Sequence, residues 1–443
     1  MKVFFVSLGC DKNTVDSEMM LGILSENGHE IVYDENEAEA VVINSCAFIA
    51  DAKQESINTI LEMAELKKAG ILKLIIVTGC LGQRYKEEIQ KEIPEVDVIL
   101  GIQSFDKVAE AIDNYEKGSM TNVFDDLSLP PVSGYKRLLT TATHYAYLKI
   151  AEGCDKHCTY CVIPSIRGRY RSVPMETLLS EASTLAARGV KELIIVAQET
   201  TIYGVDLSGK KELPSLLKKL CAIDGIERVR LLYCYPEEIT DELIQVMKEE
   251  KKICHYVDMP IQHASDNILK RMGRRTSEKD LRDIINKLRK EIPDICIRTT
   301  LITGFPGETR KDIKILASFV KDCRFDRLGV FTYSAEEGTP AATMPHQVPE
   351  WIKRMRRNRI MKLQQSIVFD INDSLVGTSL DVMIEGRLPE DEVYVTRSYK
   401  VAPGVDGYVF VNSERDLVSG DIISVKVTEA KGYDLVAVEE NQD

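Results

Sequence analysis

Apolar runs and helix-period stretches alternate through the first hundred residues. The runs Val3–Leu8, Ala40–Ile43, Leu74–Thr78 and Val96–Leu100 have the length and β-branched content of buried strands. Between them, Asp16–Asn27, Ala52–Ala69 and Tyr85–Ile93 carry apolar residues at helical spacing. Strand–helix alternation predicts a parallel sheet flanked by helices over 1–117. Residues 118–144 lose the periodicity and contain Pro130, Pro131, Ser133 and Gly134, which predicts a linker.

From Tyr147 the alternation resumes in longer units: YLKIAEG, ELIIVAQ, VRLLYCYP, YVDMPIQH, ICIRTTLITGFPGE and RLGVFTYS. Each is followed by a helix-like segment. Six such βα units predict a barrel or partial barrel across 145–372. The basic stretch Trp351–Phe369 closes this region. Its apolar Ile352, Met355 and Ile360 fall near helical spacing, so an amphipathic helix packed on the barrel is expected. The remainder, 373–443, has five short strand patterns separated by Gly and Pro turns, expected to form a small OB-like β-barrel. The predicted class is therefore α/β followed by a small all-β domain.

Composition adds two constraints. The 443-residue chain carries a net charge of −13, but unevenly. Residues 1–117 sum to −11, 118–376 to +6 and 377–443 to −8. A last domain with six basic against fourteen acidic residues repels a nucleic-acid backbone and attracts a basic protein. The opening MKVFFVSLGC is too short for a membrane span and has no small-residue cleavage site, so it is expected to be a core strand of a cytoplasmic protein. With no export signal, the eleven cysteines are expected as free, buried or metal-bound thiols rather than disulfides.

Six of them form two sets. Cys154, Cys158 and Cys161, in EGCDKHCTYC, lie in a polar loop after the first barrel strand, on the face where barrels keep their sites. A zinc knuckle would need a fourth ligand, for which His157 is the local candidate. Three thiolates on a 4Fe–4S cluster instead leave one iron open to an exchangeable ligand. Cys10, Cys46 and Cys80 each follow a predicted strand of the first domain. In a parallel sheet the carboxyl ends of neighbouring strands share one crevice, so these thiols are expected to meet. Gly9 and Gly79 before two of them suit close approach of a bulky group. Read one at a time, the same three are ordinary buried cysteines. Cys221, Cys234, Cys254, Cys296 and Cys323, within apolar segments, are expected to pack in the core.

The C-x3-C-x2-C loop after the first of six βα units resembles the radical S-adenosylmethionine (SAM) superfamily. Combined with the strand-end cysteines and the terminal module, the chain resembles its methylthiotransferase family over nearly its whole length. The motifs are SLGCDKNTVDSE, INSCAFIADAKQESI, VTGCLGQRY, CTYCVIPSIRGRYRS and RLGVFTYSAEEGTPA. They fit the branch that replaces a β-carbon hydrogen of an aspartate in ribosomal protein S-twelve by a methylthio group. The resemblance implies an auxiliary 4Fe–4S cluster on Cys10, Cys46 and Cys80, a partial (βα)6 radical-SAM barrel with a 4Fe–4S cluster on Cys154, Cys158 and Cys161, and a C-terminal TRAM barrel. SAM contacts are expected at Gln198, Glu199, Arg298, Thr303, Gly304 and Gly307, the last three within the turn Thr303–Glu308. A flavodoxin or ferredoxin is the expected reductant, and the enzyme is expected to be a monomer. Lys156, Arg167, Arg169 and Arg171 either contact a carboxylate or the electron donor, or lie on solvated surface. His263 either faces the site or is structural. A tRNA methylthiotransferase, or a non-catalytic iron–sulfur RNA-binding protein, would share parts of this pattern.

Overall fold

The runs Ala40–Ile43 and Leu74–Thr78 are buried on both faces, as strands covered by helices must be, while the run from Val3 is half-buried. In the computed structural model, which describes residues 1–388 and 393–440, they form a parallel five-stranded sheet. Its strands are β1 (Lys2–Ser7), β2 (Glu30–Val32), β3 (Ala40–Ser45), β4 (Leu74–Thr78) and β5 (Val98–Ile99), in the order β2-β1-β3-β4-β5. The first helix runs Asp11–Glu26, five residues longer at its start than the apolar pattern indicates. Its opening DKNTVDSE reads as polar loop, yet Lys12, Asn13, Asp16, Ser17 and Glu18 are all buried. This face packs against charged groups of the barrel, so polarity does not mark solvent there.

The linker 118–144 has no helix or strand but is stitched to both neighbours. Leu100 bridges to Val123, and buried Arg137 pairs with Glu18 at 2.5 Å and Glu181 at 2.6 Å. The central sheet comprises β6 (Tyr145–Lys149), β9 (Glu192–Val196), β10 (Arg228–Leu231), β11 (Ile253–Asp258), β12 (Cys296–Thr303) and β13 (Arg327–Thr332), all parallel. The edge strands β6 and β13 do not pair, which makes it a partial barrel. A two-stranded ribbon, β7 (Ala151–Glu152) with β8 (Arg171–Ser172), sits at its mouth.

The helix Glu350–Ser374 packs on β12 and β13, but not through the expected face. Met355 is 56% exposed, and the buried residues are Lys353, Arg356, Ile360, Gln364, Ile367, Val368 and Asn372. Each buried polar one has a partner: Lys353 donates to the Tyr333 carbonyl at 2.7 Å, Arg356 to Glu308 at 2.6 Å, Gln364 to the Phe325 carbonyl at 2.7 Å and Asn372 to the Gly432 carbonyl at 2.8 Å. Satisfied polar groups can be buried, and no hydropathy pattern shows which will be.

The last domain is a closed five-stranded barrel of β14 (Ser379–Arg387), β15 (Val393–Ser398), β16 (Val409–Asn412), β17 (Ile422–Lys431) and β18 (Asp434–Glu439). It docks on the amino ends of the central strands. Buried Glu192, at the start of β9, accepts from Arg230 at 2.6 Å and pairs with Arg397 of β15 at 2.8 Å. Ala402 packs among Ile194, Val196, Leu232, Cys254, Tyr256 and Cys296 and plugs the lower lumen. Cys221, Cys234 and Cys323 are buried in the main core. Among the described residues no helix is long and apolar enough to cross a membrane.

Candidate functional site

With one end of the lumen plugged, the other end is where the cysteines gather. The ribbon β7–β8 folds the segment 153–170 into a loop over the carboxyl ends of the barrel strands. Gly153 has φ +76°, and a Cβ there would lie 2.0 Å from the Arg169 carbonyl, so only glycine fits. The Cys154 amide donates to the Gly168 carbonyl at 3.2 Å. Thr159 anchors the far side, its amide on the Met272 carbonyl at 3.0 Å and its hydroxyl on the Arg271 carbonyl at 2.8 Å. Burial pushes the Cys154 thiol up to about 11 and the Cys161 thiol up to about 12, and each is raised further by the Cys158 thiol. His157 is exposed, at φ +50°.

Cys10, Cys46 and Cys80 follow β1, β3 and β4, which are adjacent in the sheet, and the Cys46 thiol lies near those of Cys80 and Cys10. A Cβ built on Gly9 would meet the Cys46 sulfur at 3.1 Å, and one on Gly79 the Ser45 carbonyl at 2.4 Å. Burial pushes Cys46 up to about 11, and the Cys80 and Cys10 thiols add to it. Among the described residues, no three Cys, His, Asp or Glu side chains are grouped so as to hold a single metal ion.

A buried charge network lies between the strand-end cysteines and the barrel. Arg167 is 1% exposed. Its Nη1 donates to both Glu152 oxygens at 2.9 Å, and its Nη2 donates to Asn13 Oδ1 at 2.5 Å and to Cys80 Sγ at 3.5 Å. Lys149 pairs with Asp16, and with Glu152 at 3.1 Å, while Arg167 is 3.5 Å from Asp16. Burial alone would raise the Glu152 carboxyl, but Arg167 and Lys149 outweigh it and hold it below the usual range. For Asp16 burial wins, and its carboxyl is raised. One guanidinium thus ties Asn13 and Cys80 of the first domain to Glu152, two residues before Cys154.

The residues left open between site and surface divide cleanly. Arg167 and Arg171 are buried, Lys156 is largely covered and Arg169 is exposed. His263 is fully buried, and its Nδ1 accepts from the amides of Ala264 and Ser265 at 2.9 Å, a structural role. Of the expected SAM contacts, Gln198 and Glu199 lie at the cysteine loop. Gln198 Nε2 donates to Glu152 at 3.1 Å, and Glu199 is 3.3 Å from the Lys156 ammonium. The other four are engaged elsewhere. Arg298 sits five residues before the end of β12, 3.0 Å from Asp258. The Thr303 hydroxyl faces the Lys353 carbonyl at 3.4 Å. The space left by Gly304 and Gly307 is approached by the side chains of Lys353 and Arg271. Sequence reasoning missed Asn13, Asp16, Lys149 and Glu152. The signal was present as two charges, Lys149 and Glu152, in an otherwise apolar strand.

Burial pushes the Glu199 carboxyl up to about 7, while Lys156 and the Thr201 hydroxyl pull it back. A folded-state value above the unfolded one means stability present at low pH and lost as pH rises toward 7. Glu199→Gln removes that titration. The apoprotein's stability relative to this variant should fall by roughly 1.4 kcal/mol per pH unit between about 5 and 7, measured by denaturant unfolding. A constant difference across that range would contradict it.

Three family models match the chain: "Uncharacterized protein family UPF0004" over residues 2–101, the radical SAM superfamily over 148–320 and the TRAM domain over 376–438. A protein from Lachnoclostridium phytofermentans named "Ribosomal protein uS12 methylthiotransferase RimO" is 60% identical, covering 99% of this chain and all of the relative. Proteins of the same name from Clostridium botulinum and Thermoanaerobacter sp. are each 49% identical, covering 100% and 98% of this chain and 98% and 99% of theirs. Among solved structures, the radical SAM methyltransferase TsrM from Kitasatospora setae matches with a TM-score of 0.58 at 14% identity, over 83% of this chain and 89% of that one, a likeness of fold.

Proposed function

The chain belongs to the family of ribosomal protein uS12 methylthiotransferases RimO, and from that premise we propose that it exchanges a β-carbon hydrogen of an aspartate in uS12 for a methylthio group. The observation that carries the reading is the pair of three-thiol sets, one at the strand ends of the first sheet and one in the loop over the barrel mouth, with Arg167 linking Cys80 of the first to Glu152, two residues before the second. The donor sets suit 4Fe–4S clusters: all-thiol, mutually interacting, and buried apart from the partly covered Cys10 and Cys161. Bound there, two clusters and SAM supply the radical that takes hydrogen from an unactivated carbon, and the sulfur and methyl group that replace it.

The chain's own residues hold and shield these groups. Cys154, Cys158 and Cys161 hold the cluster that meets SAM, and Cys10, Cys46 and Cys80 hold the auxiliary one. Gln198 and Glu199, beside the loop, are the SAM contacts best supported by geometry. Functional units at 1–117, 118–144, 145–372 and 373–443 accompany this reading, as do a monomeric cytoplasmic enzyme and a flavodoxin- or ferredoxin-type reductant. The acidic terminal barrel sits at the opposite end from the thiols, so its field would steer basic uS12 rather than grip the target residue.

The test is mass spectrometry of uS12 from cells with and without the gene. The methylthio mass increment on one aspartate should vanish in the deletion strain. An unchanged aspartate with a lost methylthio group on tRNA adenosine would replace this reading with the tRNA one.

A further inference from the structure

One buried cation of the first helix has no role in the network above. Lys12 is only 6% exposed, two residues after Cys10. Its neighbours in charge are all paired: Lys149 with Asp16 and Glu152, Arg167 with Glu152, Arg137 with Glu18 and Glu181. Lys12 has no ion pair among the described residues. Its ammonium lies instead 3.3 Å above the ring of Tyr233, which follows β10 at the mouth of the barrel. The adjacent carboxylate, Asp11, is already committed. It accepts from the Tyr233 hydroxyl at 3.2 Å and bonds the Tyr147 hydroxyl. Tyr233 is held at φ +58°, a strained backbone for a bulky residue, with its amide on Asp258 at 3.2 Å. The ring that positions Lys12 is thus itself clamped.

The side chain is covered along its length while its ammonium has only a ring face as partner, so its donors are free for an entering carboxylate, which would take them with a charge-assisted bond. We propose that Lys12 binds the carboxylate of the target aspartate, placing its β-carbon beside the Cys10 set and the barrel mouth, and selecting an anionic side chain over a neutral one. The inference rests on the functional reading above and deepens it. The chemistry is direct: a carboxylate is one bond from the β-carbon, so a fixed ammonium fixes the reacting atom. A neutral nucleobase offers acceptor atoms but no negative charge for this ammonium to pair with.

The experiment compares purified uS12 with its Asp→Asn variant at the modified position, on reconstituted holoenzyme with SAM. Binding is read by fluorescence anisotropy and transfer by mass spectrometry. Wild type should prefer the Asp form roughly ten- to a hundredfold in both Kd and kcat/KM. Lys12→Met should bring that ratio near one at unchanged iron content, and Lys12→Arg should keep most of it. A purely structural lysine would lower thermal stability without moving the Asp/Asn ratio, and that result overturns the proposal. Should Lys12→Met not fold, Lys12→Gln takes its place, and a wild-type ratio near one overturns the proposal without any variant. Transfer by wild type to neither form overturns the functional reading, and this inference with it. Transfer with undiminished discrimination in the variants overturns the inference alone.

Discussion

Replacing Cys10, Cys46 and Cys80 together by Ala is expected to abolish methylthio transfer to uS12 while 5′-deoxyadenosine formation from SAM persists. Apart from the Arg167 contact to Cys80, the barrel loop is held independently of these thiols, by the Gly168, Met272 and Arg271 carbonyls and by the Ala341 amide, which donates to the Thr159 carbonyl at 2.9 Å. Iron and sulfide should fall to roughly half, since each set holds one cluster. The converse replacement of Cys154, Cys158 and Cys161 should also halve iron but eliminate cleavage of SAM. Iron analysis, cluster absorbance and chromatography of the nucleoside read all three quantities. Equal loss of cleavage in both triple variants, at half iron content, would sink the division of labour.

Arg167→Met is the substitution expected to cost most in stability. It strips the Glu152 carboxylate of its bidentate partner and Asn13 Oδ1 of its donor, inside a network with no access to water. Breaking one side of a buried pair costs about 3–5 kcal/mol, because the charge left behind cannot be resolvated. Adding Glu152→Leu should recover part of that loss, since charges then leave in opposite pairs. Denaturant unfolding of the apoproteins measures both. A loss under about 1 kcal/mol would mean the network is wetter or weaker than its geometry indicates. Because Arg167 also touches Cys80, the single variant should alter the spectrum of the reconstituted auxiliary site before it alters the barrel site.

Much of this architecture was legible in the chain. The parallel first sheet, the six βα units and the closed terminal barrel all follow from the period of apolar residues, because each strand or helix must turn an apolar face to a core. The two cysteine sets were legible for different reasons. Cys154, Cys158 and Cys161 share one loop, so spacing alone joins them. Cys10, Cys46 and Cys80 share only their place at strand ends, and their meeting follows from the rule that parallel strands present their carboxyl ends together. The polar interior was not legible. Asp16, Glu18 and Lys12 look like a solvated helix start, and Lys353 and Arg356 like the outer face of a basic helix. All are buried.

Hydropathy therefore determined the elements, their order and the location of the thiols, because apolar burial repeats with a local period. Only the tertiary structure decided that Arg167 lies between Glu152 and Cys80, that Lys353 and Arg271 close on Gly304 and Gly307, and that Lys12 is left with a ring and no counter-ion. Those facts depend on partners up to hundreds of residues apart, and a charge is driven to water or into the core by the partner it finds, which no local pattern encodes.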